Sequence, residues 1–390
     1  MPVLNRLADR ASVHAEWRRD LHRHPELEFD VLRTAGIVAE KLAEFGCDEV
    51  VTGIGRTGVV GLIRGRSTGS GRVIGLRADM DALPIEETTQ ASWASQTPGR
   101  MHACGHDGHT TMLLAAAEHL AETRAFDGTV AVIFQPAEEG GGGGREMVRD
   151  GMMERFGIQQ VFGMHNLPDL PVGDFAVRPG PMLAAADRFL IEVVGKGGHA
   201  AMPHGAVDPT LAASAIVMAL QSIVARNVDP LKEGVVSVTS FRTASDAFNV
   251  IPERVDLLGT VRTLSPEMRD LIERRMGEVI DGTARAYGAT ARFEYQRNYP
   301  VMVNDAACAA FAARVATDVV GEARVDADAP PLMGGEDFAF MLEARPGAFV
   351  FVGNGPTAAL HHPAYDFNDD LIPYGASYWV RLVETAMPGA

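Results

Sequence analysis

The stretch that begins at Met101 concentrates side chains able to bind a metal ion. From His102 to His109 the chain holds three imidazoles, one thiol and one carboxylate, with two glycines between them. Cys104 and His106 are two residues apart, and side chains at that spacing point to the same side of an extended loop. The alternative is a loop without a metal site, in which the histidines are solvated and the cysteine is buried. The density of titratable groups favours a metal site, for which the rest of the chain must supply further ligands and a base.

Further donors stand where predicted strands end. They are Asp79 and Asp81 after a strand at residues 72–78, Glu138 and Glu139 after a strand at residues 129–135, and His165 at the end of a strand at residues 160–165. In α/β sheets, ligands gather beyond the carboxyl ends of the strands. We therefore expect these groups to meet Cys104 and His106 at one edge of a sheet. The two aspartates are expected either as ligands or as partners that orient a ligand histidine.

The candidate ligands then number five. The set consists of Cys104, His106, one of Glu138 and Glu139, His165, and one of His361 and His362. Five donors exceed the need of one tetrahedral zinc ion and suit two metal ions about 3.5–4 Å apart. Their mixture of nitrogen, oxygen and sulfur fits zinc, manganese, cobalt or nickel. Adjacent carboxylates at a strand end point in different directions, so one can bind metal while the other carries a proton.

Composition narrows the class of protein. The chain has 390 residues, which predicts two domains, and it is 46% hydrophobic and 22% charged, as soluble globular proteins are. The net charge of −16 argues against binding to nucleic acid or to an anionic membrane. Three widely spaced cysteines, no apolar signal segment near Met1 and no apolar run of membrane-spanning length predict a cytoplasmic protein.

The periodicity of apolar residues predicts an α/β fold with a second domain inserted. Residues 187–296 follow the order strand, helix, strand, strand, helix, strand, which is that of a ferredoxin-like unit. Residues 1–186 and 297–390 then form the two parts of one catalytic α/β domain. A further helix is expected to begin at Met333, with two acidic residues near its positive end.

The glycines at residues 140–144 raise the alternative of a nucleotide-binding α/β protein. A phosphate-binding loop needs a lysine followed by serine or threonine, and no such pair follows these glycines. We therefore expect the glycines to let the backbone pass close to the metal site.

The sequence resembles a known family in its most specific motifs. These are residues 101–109, residues 134–144 and the loop at residues 195–199, and the similarity extends from residues 21–26 to residues 361–363. The family is the amidohydrolase branch of the dinuclear metallocarboxypeptidase-like enzymes, which includes hippurate hydrolases, N-acyl-amino-acid amidohydrolases and hydrolases of indole-acetyl amino acids. The resemblance implies a mixed-sheet catalytic domain with an inserted ferredoxin-like domain that serves as a dimerisation or lid domain.

The resemblance also implies a role for individual residues. It makes metal ligands of Cys104 as a bridging thiolate, His106, Glu139, His165 and His361. It makes Glu138 the general base and acid, and it gives His199 the role of polarising the scissile carbonyl from a neighbouring subunit. Asn249 and Arg262 match positions that hold the substrate carboxylate in related exopeptidases. His361 is preferred to His362 because it follows Leu360.

The expected activity is therefore hydrolysis of the amide bond of hippurate-like or N-acetyl amino acids by two divalent metal ions, in a homodimer or homotetramer. Two rival interpretations remain. The first is a dipeptidase or carboxypeptidase of the same superfamily, which would need a pocket for a free amino terminus. The second is a non-catalytic metal-binding protein on the same scaffold, which would be expected to lack Glu138 or the ligands.

Overall fold

The computed structural model describes residues 4–389, which divide into two compact units. Within the described residues, the first unit comprises 4–182, 303–330 and 337–389, and the inserted unit comprises Leu183–Met302 with Pro331–Glu336. The inserted unit thus contains the whole range 187–296 expected from the sequence. It also takes in a short return segment, residues 331–336, that the periodicity does not distinguish.

The first part of the first unit alternates helices and strands. Its elements are α1 (Asn5–Asp9), α2 (Ala11–Arg23), α3 (Leu32–Glu44), β1 (Glu49–Ile54), β2 (Gly58–Arg64), β3 (Val73–Asp79), α4 (His106–Thr123), β4 (Thr129–Gln135), α5 (Gly143–Arg149), α6 (Met152–Arg155), β5 (Gln160–Pro168), β6 (Phe175–Ala176) and β7 (Gly180–Leu183). Strand β4 has the bounds expected from its apolar run. Strand β1 was not predicted, because its outward residues are polar or small and give no clear period.

The inserted unit is an α+β sandwich with ferredoxin-like topology. Its elements are β8 (Ala185–Val194), β9 (Gly198–His199), α7 (Pro209–Arg226), β10 (Gly234–Thr243), β11 (Val250–Ile251), β12 (Arg254–Thr263), α8 (Pro266–Ala286) and β13 (Thr290–Tyr299). The antiparallel sheet has the order β10-β12-β8-β13, and one core forms between it and the two helices. Ser265 caps the N-terminus of α8, since its hydroxyl accepts a hydrogen bond from the Met268 N–H at 3.3 Å.

Helix α7 is a case that the sequence argument on membrane spans overlooked. Its 18 residues have a mean hydropathy of 1.3, so by length and composition alone it could cross a membrane. A third of the helix is buried. The buried side chains, which include Ile216, Leu220 and Ile223, lie in the core of the inserted unit, as in any apolar core helix.

The chain then completes the first unit. Its remaining elements are β14 (Met302–Asn304), α9 (Ala306–Val320), β15 (Val325–Asp326), α10 (Ala339–Ala344), β16 (Gly347–Gly355) and α11 (Ile372–Ala386). The prediction of a helix that begins at Met333 is wrong at its start, because α10 begins only at Ala339. The carboxylate of Asp337 instead accepts hydrogen bonds from the Gly144 N–H, the Arg77 guanidinium and the Gln135 amide, so tertiary contacts determine the backbone there.

A mixed eight-stranded sheet organises the first unit. Its order is β1-β2-β4-β3-β5-β16-β6-β15, in which the central strands β4, β3, β5 and β16 are parallel. These central strands are buried along most of their length, as parallel strands covered on both faces should be. Their carboxyl ends therefore meet at one edge of the sheet.

Candidate metal centre

The strand ends bring the predicted donors together at that edge. Strand β3 ends at Asp79, β4 ends three residues before Glu138, and His165 lies in the carboxyl-terminal half of β5. Helix α4 begins at His106 beside them, directly after the loop that carries Cys104. The topology thus produces the convergence that the sequence predicted.

Gly105 determines the shape of the loop that carries Cys104 and precedes α4, which we call the ligand loop. Its φ is +89°, a left-handed conformation that favours glycine, and it caps the N-terminus of α4. A Cβ at this position would lie 2.3 Å from the Asn166 Nδ2 and 2.6 Å from the Tyr365 hydroxyl. Any side chain would therefore push the loop away from β5 and separate Cys104 from His165.

The five donors form one cluster. The Cys104 Sγ lies 3.3 Å from the His165 Nε2, and the Glu139 Oε1 lies 3.2 Å from the His361 Nε2 and 3.9 Å from the His106 Nε2. Three overlapping groups each have donor atoms within 4.8 Å of one another: Cys104 with His106 and His165, Cys104 with Glu139 and His361, and His106 with Glu138 and Glu139. Cys104, His106 and Glu139 each belong to two of these three groups, so the groups form one continuous cluster.

The chemistry of these donors fits a pair of divalent cations. The His106 Nε2 and the Glu139 Oε1 are buried and have no hydrogen-bond partner among the described residues, which is costly unless a ligand satisfies them. Burial, together with the charges of Glu139 and Glu138, raises the pKa of the Cys104 thiol well above its usual value. Burial alone would lower the pKa of His106, but Asp79, Asp81 and Glu139 raise it to about 10. The cluster therefore favours positive charge at its centre.

The second nitrogen of each buried ligand histidine is held by the backbone. The His106 Nδ1 donates to the Asp81 carbonyl oxygen at 2.8 Å, and the His165 Nδ1 donates to the Asn166 carbonyl oxygen at 2.6 Å. Each ring therefore presents the Nε2 lone pair toward the cluster in its neutral form. Burial first, and then the neighbouring His109, lowers the pKa of His165 well below its usual value, which keeps it a neutral ligand.

Asp81 positions the two adjacent glutamates. Its Oδ1 accepts the Glu138 N–H at 2.9 Å and its Oδ2 accepts the Glu139 N–H at 3.1 Å. One buried carboxylate thus fixes both backbone units, so that their side chains can serve different purposes. This is the orienting alternative that the sequence left open for the aspartates, although Asp81 acts on the glutamates as well as on a histidine.

Asp79 acts on a different histidine. Its Oδ1 accepts a hydrogen bond from the His109 Nδ1 at 2.6 Å, and its Oδ2 pairs with Arg77 at 2.8 Å. The His109 Nε2 in turn accepts the Asn166 N–H at 2.9 Å, so both of its ring nitrogens already have protein partners. His109 is therefore a supporting residue, although its position in the dense stretch made it look like a ligand.

The structure separates the histidine pair after Leu360. The His361 Nε2 faces Glu139, whereas the His362 Nδ1 accepts the N–H of Ala364 at 3.0 Å and the residue is exposed. His361 has a φ of +65°, which is uncommon for a side chain of its size and is often found at functional sites. Its N–H donates to the Ala103 carbonyl oxygen at 2.8 Å, which ties it to the ligand loop.

The glycine run serves packing. A Cβ on Gly143 would lie 1.7 Å from the Pro136 carbonyl oxygen, and one on Gly144 would lie 2.9 Å from the Asp337 carbonyl oxygen. Gly143 thus allows the first turn of α5 to approach the backbone that follows β4, and Gly144 allows it to approach Asp337. The close approach that we expected is present, but it is to protein backbone on the side of Asp337.

The residues proposed for the substrate lie in the inserted unit. His199 and Asn249 are exposed neighbours, because Val250 of β11 pairs with His199 of β9 and the Ala200 N–H donates to the Asn249 carbonyl oxygen at 3.0 Å. Arg262 lies on β12, half-buried, where burial lowers its pKa. The inserted unit thus brings two of the three together beside one small two-stranded sheet, β9 with β11.

A cluster of mostly buried donors at the carboxyl edge of a mixed sheet, beside a second carboxylate, is typical of dinuclear metallohydrolases. The model of Peptidase family M20/M25/M40 matches residues 75–385. The chain is 43% identical to the hippurate hydrolase of Campylobacter jejuni over 98% of both chains. It is 42% identical to an N-acetylcysteine deacetylase of Bacillus subtilis over 94% of both.

A solved structure agrees. The Bacillus subtilis YXEP protein, a dinuclear metal-binding peptidase from the M20 family, superposes with a TM-score of 0.84 at 37% identity, covering 97% of this chain and 99% of that one. The chain belongs to Peptidase family M20/M25/M40. The resemblance inferred from the motifs, and the fold it implied, are thereby confirmed.

Proposed function

We propose that the protein is a metal-dependent amidohydrolase that cleaves the amide bond of N-acyl amino acids into a carboxylic acid and a free amino acid. The observation that carries the proposal is the five-donor cluster, in which Cys104, His106 and His165 are buried, with Glu138 beside it. The identity to hippurate hydrolase and to N-acetylcysteine deacetylase supports the substrate class. Hippurate-like and N-acetyl amino acids are the candidate substrates.

Cys104, His106, Glu139, His165 and His361 would hold two divalent ions. Bound there, the ions would supply Lewis acidity for the scissile carbonyl and lower the pKa of a water molecule between them. Zinc, manganese, cobalt and nickel all suit the mixed donor set. A thiolate at Cys104 is compatible only with a cation beside it, because burial and the neighbouring carboxylates otherwise keep its proton in place.

Glu138 is proposed as the proton carrier. Its donor atom lies within 4.8 Å of those of His106 and Glu139, and its backbone is fixed by Asp81. Its carboxylate would take a proton from the attacking water and return it to the leaving amide nitrogen. The C–N bond then breaks as the amine leaves in its neutral form.

The inserted unit is proposed to bind the rest of the substrate. His199 would donate a hydrogen bond to the carbonyl oxygen as negative charge develops on it, from the inserted unit of a neighbouring subunit. Its Nδ1 accepts the Ala201 N–H at 3.1 Å, which leaves the proton on Nε2 for this purpose. Asn249 and Arg262 would hold the free α-carboxylate, for which a guanidinium offers two parallel hydrogen bonds.

A homodimer or homotetramer is proposed for the assembly. Exposed apolar side chains lie on α7 and on β10, which is an edge strand of its sheet; they include Leu211, Met218, Val235 and Phe241. An exposed edge strand with apolar neighbours is a common site of association. Light scattering after gel filtration would test it. A cytoplasmic location is proposed because all three cysteines are free.

The proposed activity is tested by reconstituting the metal-free protein with single metals and assaying a panel. The panel contains acetyl, benzoyl and indole-acetyl amino acids and unblocked dipeptides. We expect hydrolysis of at least one N-acyl class at rates far above those for the dipeptides. Preference for unblocked dipeptides would instead support the peptidase alternative, which the family name and the solved relative keep in view. Stoichiometric metal without any turnover would support a non-catalytic metal-binding protein.

A further inference from the structure

A second group of buried charges lies on the other side of the ligand loop. The His22 Nδ1 lies 2.7 Å from the Asp107 Oδ2, and the Arg18 Nη1 lies 3.7 Å from the same oxygen. We call Arg18, His22 and Asp107 the inner clasp. It joins helix α2 to the first turn of α4.

The same two helices carry a matching contact farther along. The His14 Nε2 lies 3.2 Å from the Glu118 Oε2, and Arg10 makes two hydrogen bonds to the same carboxylate at 2.8 and 2.9 Å. We call Arg10, His14 and Glu118 the outer clasp. Each clasp thus uses an arginine, a histidine four residues later, and one carboxylate of α4.

The two clasps differ in burial. The Arg18, His22 and Asp107 side chains are all at most 1% exposed, whereas Arg10 and Glu118 side chains are 34% and 18% exposed. Two guanidinium nitrogens of Arg18 and the Asp107 Oδ1 have no hydrogen-bond partner among the described residues. A buried ion pair with such unsatisfied polar atoms contributes little net stability to the folded protein. Apolar side chains of similar volume would often stabilise the fold as well. Joining two helices does not require it.

The inner clasp is also the one beside the ligands. Asp107 directly follows His106 and is separated from Cys104 by only two residues. On the sheet side, the Asn166 amide donates to the Cys104 carbonyl oxygen at 2.6 Å and the Asp81 carbonyl holds the His106 ring. The inner clasp contacts the first turn of α4 away from these sheet contacts. The ligand loop and the start of α4 are therefore held by two separate sets of contacts. Glu118 lies three turns farther along α4 and touches no donor of the cluster.

Arg18 and His22 each make a further contact that holds the side chain in place. The Arg18 Nε donates to the Asp369 Oδ1 at 2.6 Å, and its guanidinium carbon lies 5.2 Å from the centre of the Trp93 ring. The His22 Nε2 lies 3.4 Å from the Glu87 Oε2. Arg18 and His22 are therefore held by groups from two other segments. Because they are held, they fix the position of Asp107.

We propose that Asp107 is a positioning residue for the metal centre: held by His22 and Arg18, it fixes the first turn of α4 and thereby sets the affinity of Cys104 and His106 for a divalent cation. The proposal rests on the metal centre of the proposed function and not on its substrate. It predicts that the inner clasp controls metal affinity, whereas the outer clasp affects only stability.

The test compares Asp107→Asn with Glu118→Gln, which each remove one carboxylate charge with little change in shape. The metal-free proteins are titrated with zinc alone in competition with a chromophoric chelator, and their unfolding temperatures are measured in parallel. Asp107→Asn should weaken zinc binding about 10–100-fold, the usual effect of removing a partner behind a metal ligand. Glu118→Gln should bind zinc as the unmodified protein does, even if its unfolding temperature falls.

Equal zinc affinity in Asp107→Asn and the unmodified protein would overturn the proposal, as would equal weakening in both variants. If Asp107→Asn does not fold, His22→Gln replaces it. That variant keeps the carboxylate and Arg18, and it should weaken zinc binding in the same direction; a folded His22→Gln with unchanged affinity would also refute the proposal. Because no substrate is present, a protein that binds zinc but hydrolyses no N-acyl amino acid would refute the proposed function alone.

Discussion

The donors of the first unit and the substrate residues of the inserted unit are built in different ways. Cys104, His106 and His165 are buried, and each is held by hydrogen bonds or close neighbours within its own unit. His199 and Asn249 are exposed at a small sheet of two short strands that are far apart in sequence. Binding of a metal needs donors fixed in advance, whereas binding of a substrate needs groups that remain accessible. Changes in the first set should therefore affect metal content, and changes in the second should affect substrate binding or turnover while metal content stays the same.

The largest expected effect comes from removing the metal. Dialysis against a strong chelator should abolish hydrolysis, and adding back zinc or manganese should restore it, because the buried donors have no other way to activate water. Initial rates and elemental analysis measure both. Full activity in protein shown to be free of metal would contradict this prediction.

Replacement of Glu138 should separate chemistry from metal binding. Glu138→Gln should keep both ions and lose about 10³-fold or more in kcat, within the usual range for a general base. Glu139→Gln serves as the contrast, since it should lose metal as well as activity. Near-normal turnover by Glu138→Gln would remove Glu138 from its proposed role.

Replacement of His199 should lower kcat about 10²-fold, the cost of losing one hydrogen-bond donor to a developing oxyanion. Metal content and unfolding temperature should not change, because the residue is exposed. His204→Ala, an exposed histidine in the same region, is the matched control and should be active. A His199→Ala variant that lost metal would break the distinction between the two units.

Arg262→Lys should raise KM about tenfold for substrates with a free α-carboxylate, because lysine keeps the charge but loses the planar pair of donors. The same substitution at the exposed Arg188 is the control. Substrates in which the carboxylate is amidated should show no difference between the variant and the unmodified enzyme. An equal effect on both kinds of substrate would exclude carboxylate binding by Arg262.

A last set of effects is on stability and differs between the two clasps. Burial alone would lower the pKa of His22, but Asp107 raises it to about 9, above the ordinary value of 6.5. The raised pKa stabilises the folded protein fully below pH 6.5, and the stabilisation is lost as the pH rises through about 9. The difference in unfolding free energy between unmodified protein and His22→Gln, on the order of 3 kcal/mol at most, should shrink accordingly.

His14 should show the opposite trend. Burial lowers its pKa below 6.5, so the unfolded chain binds the extra proton and the unmodified protein loses stability as the pH falls below that value. His14→Gln should remove this acid-dependent loss. Denaturant unfolding of the metal-free proteins between pH 5 and about 10 measures both trends. Parallel pH profiles for the two variants would contradict the distinction between the clasps.

Much of the site could be predicted because its signals are local. An apolar run gave the bounds of β4, and the parallel arrangement implied where Glu138 and His165 would meet. The segment before α10 was wrongly predicted to be helical, because its acidic residues were taken for the first turn of a helix, whereas the Asp337 carboxylate accepts hydrogen bonds from Arg77 and Gly144. Helical and strand periods carry no information about such long-range polar contacts.

The inner clasp was missed for a related reason. From the sequence, His22 was expected either to lie in a polar turn or to support the metal site without being a ligand. No role was assigned to Arg18. Their spacing of four residues on α2 places both on one face, which is a visible signal. The carboxylate they grip lies 85 residues from His22, so only the fold identifies Asp107 as the partner.

The most direct test of the account is an anomalous X-ray difference map from crystals of the zinc-loaded protein, recorded at the zinc absorption edge. Two peaks about 3.5–4 Å apart should lie among Cys104, His106, Glu139, His165 and His361, with Cys104 and Glu139 nearest both. Absence of zinc from this cluster in fully loaded, active protein would contradict the account.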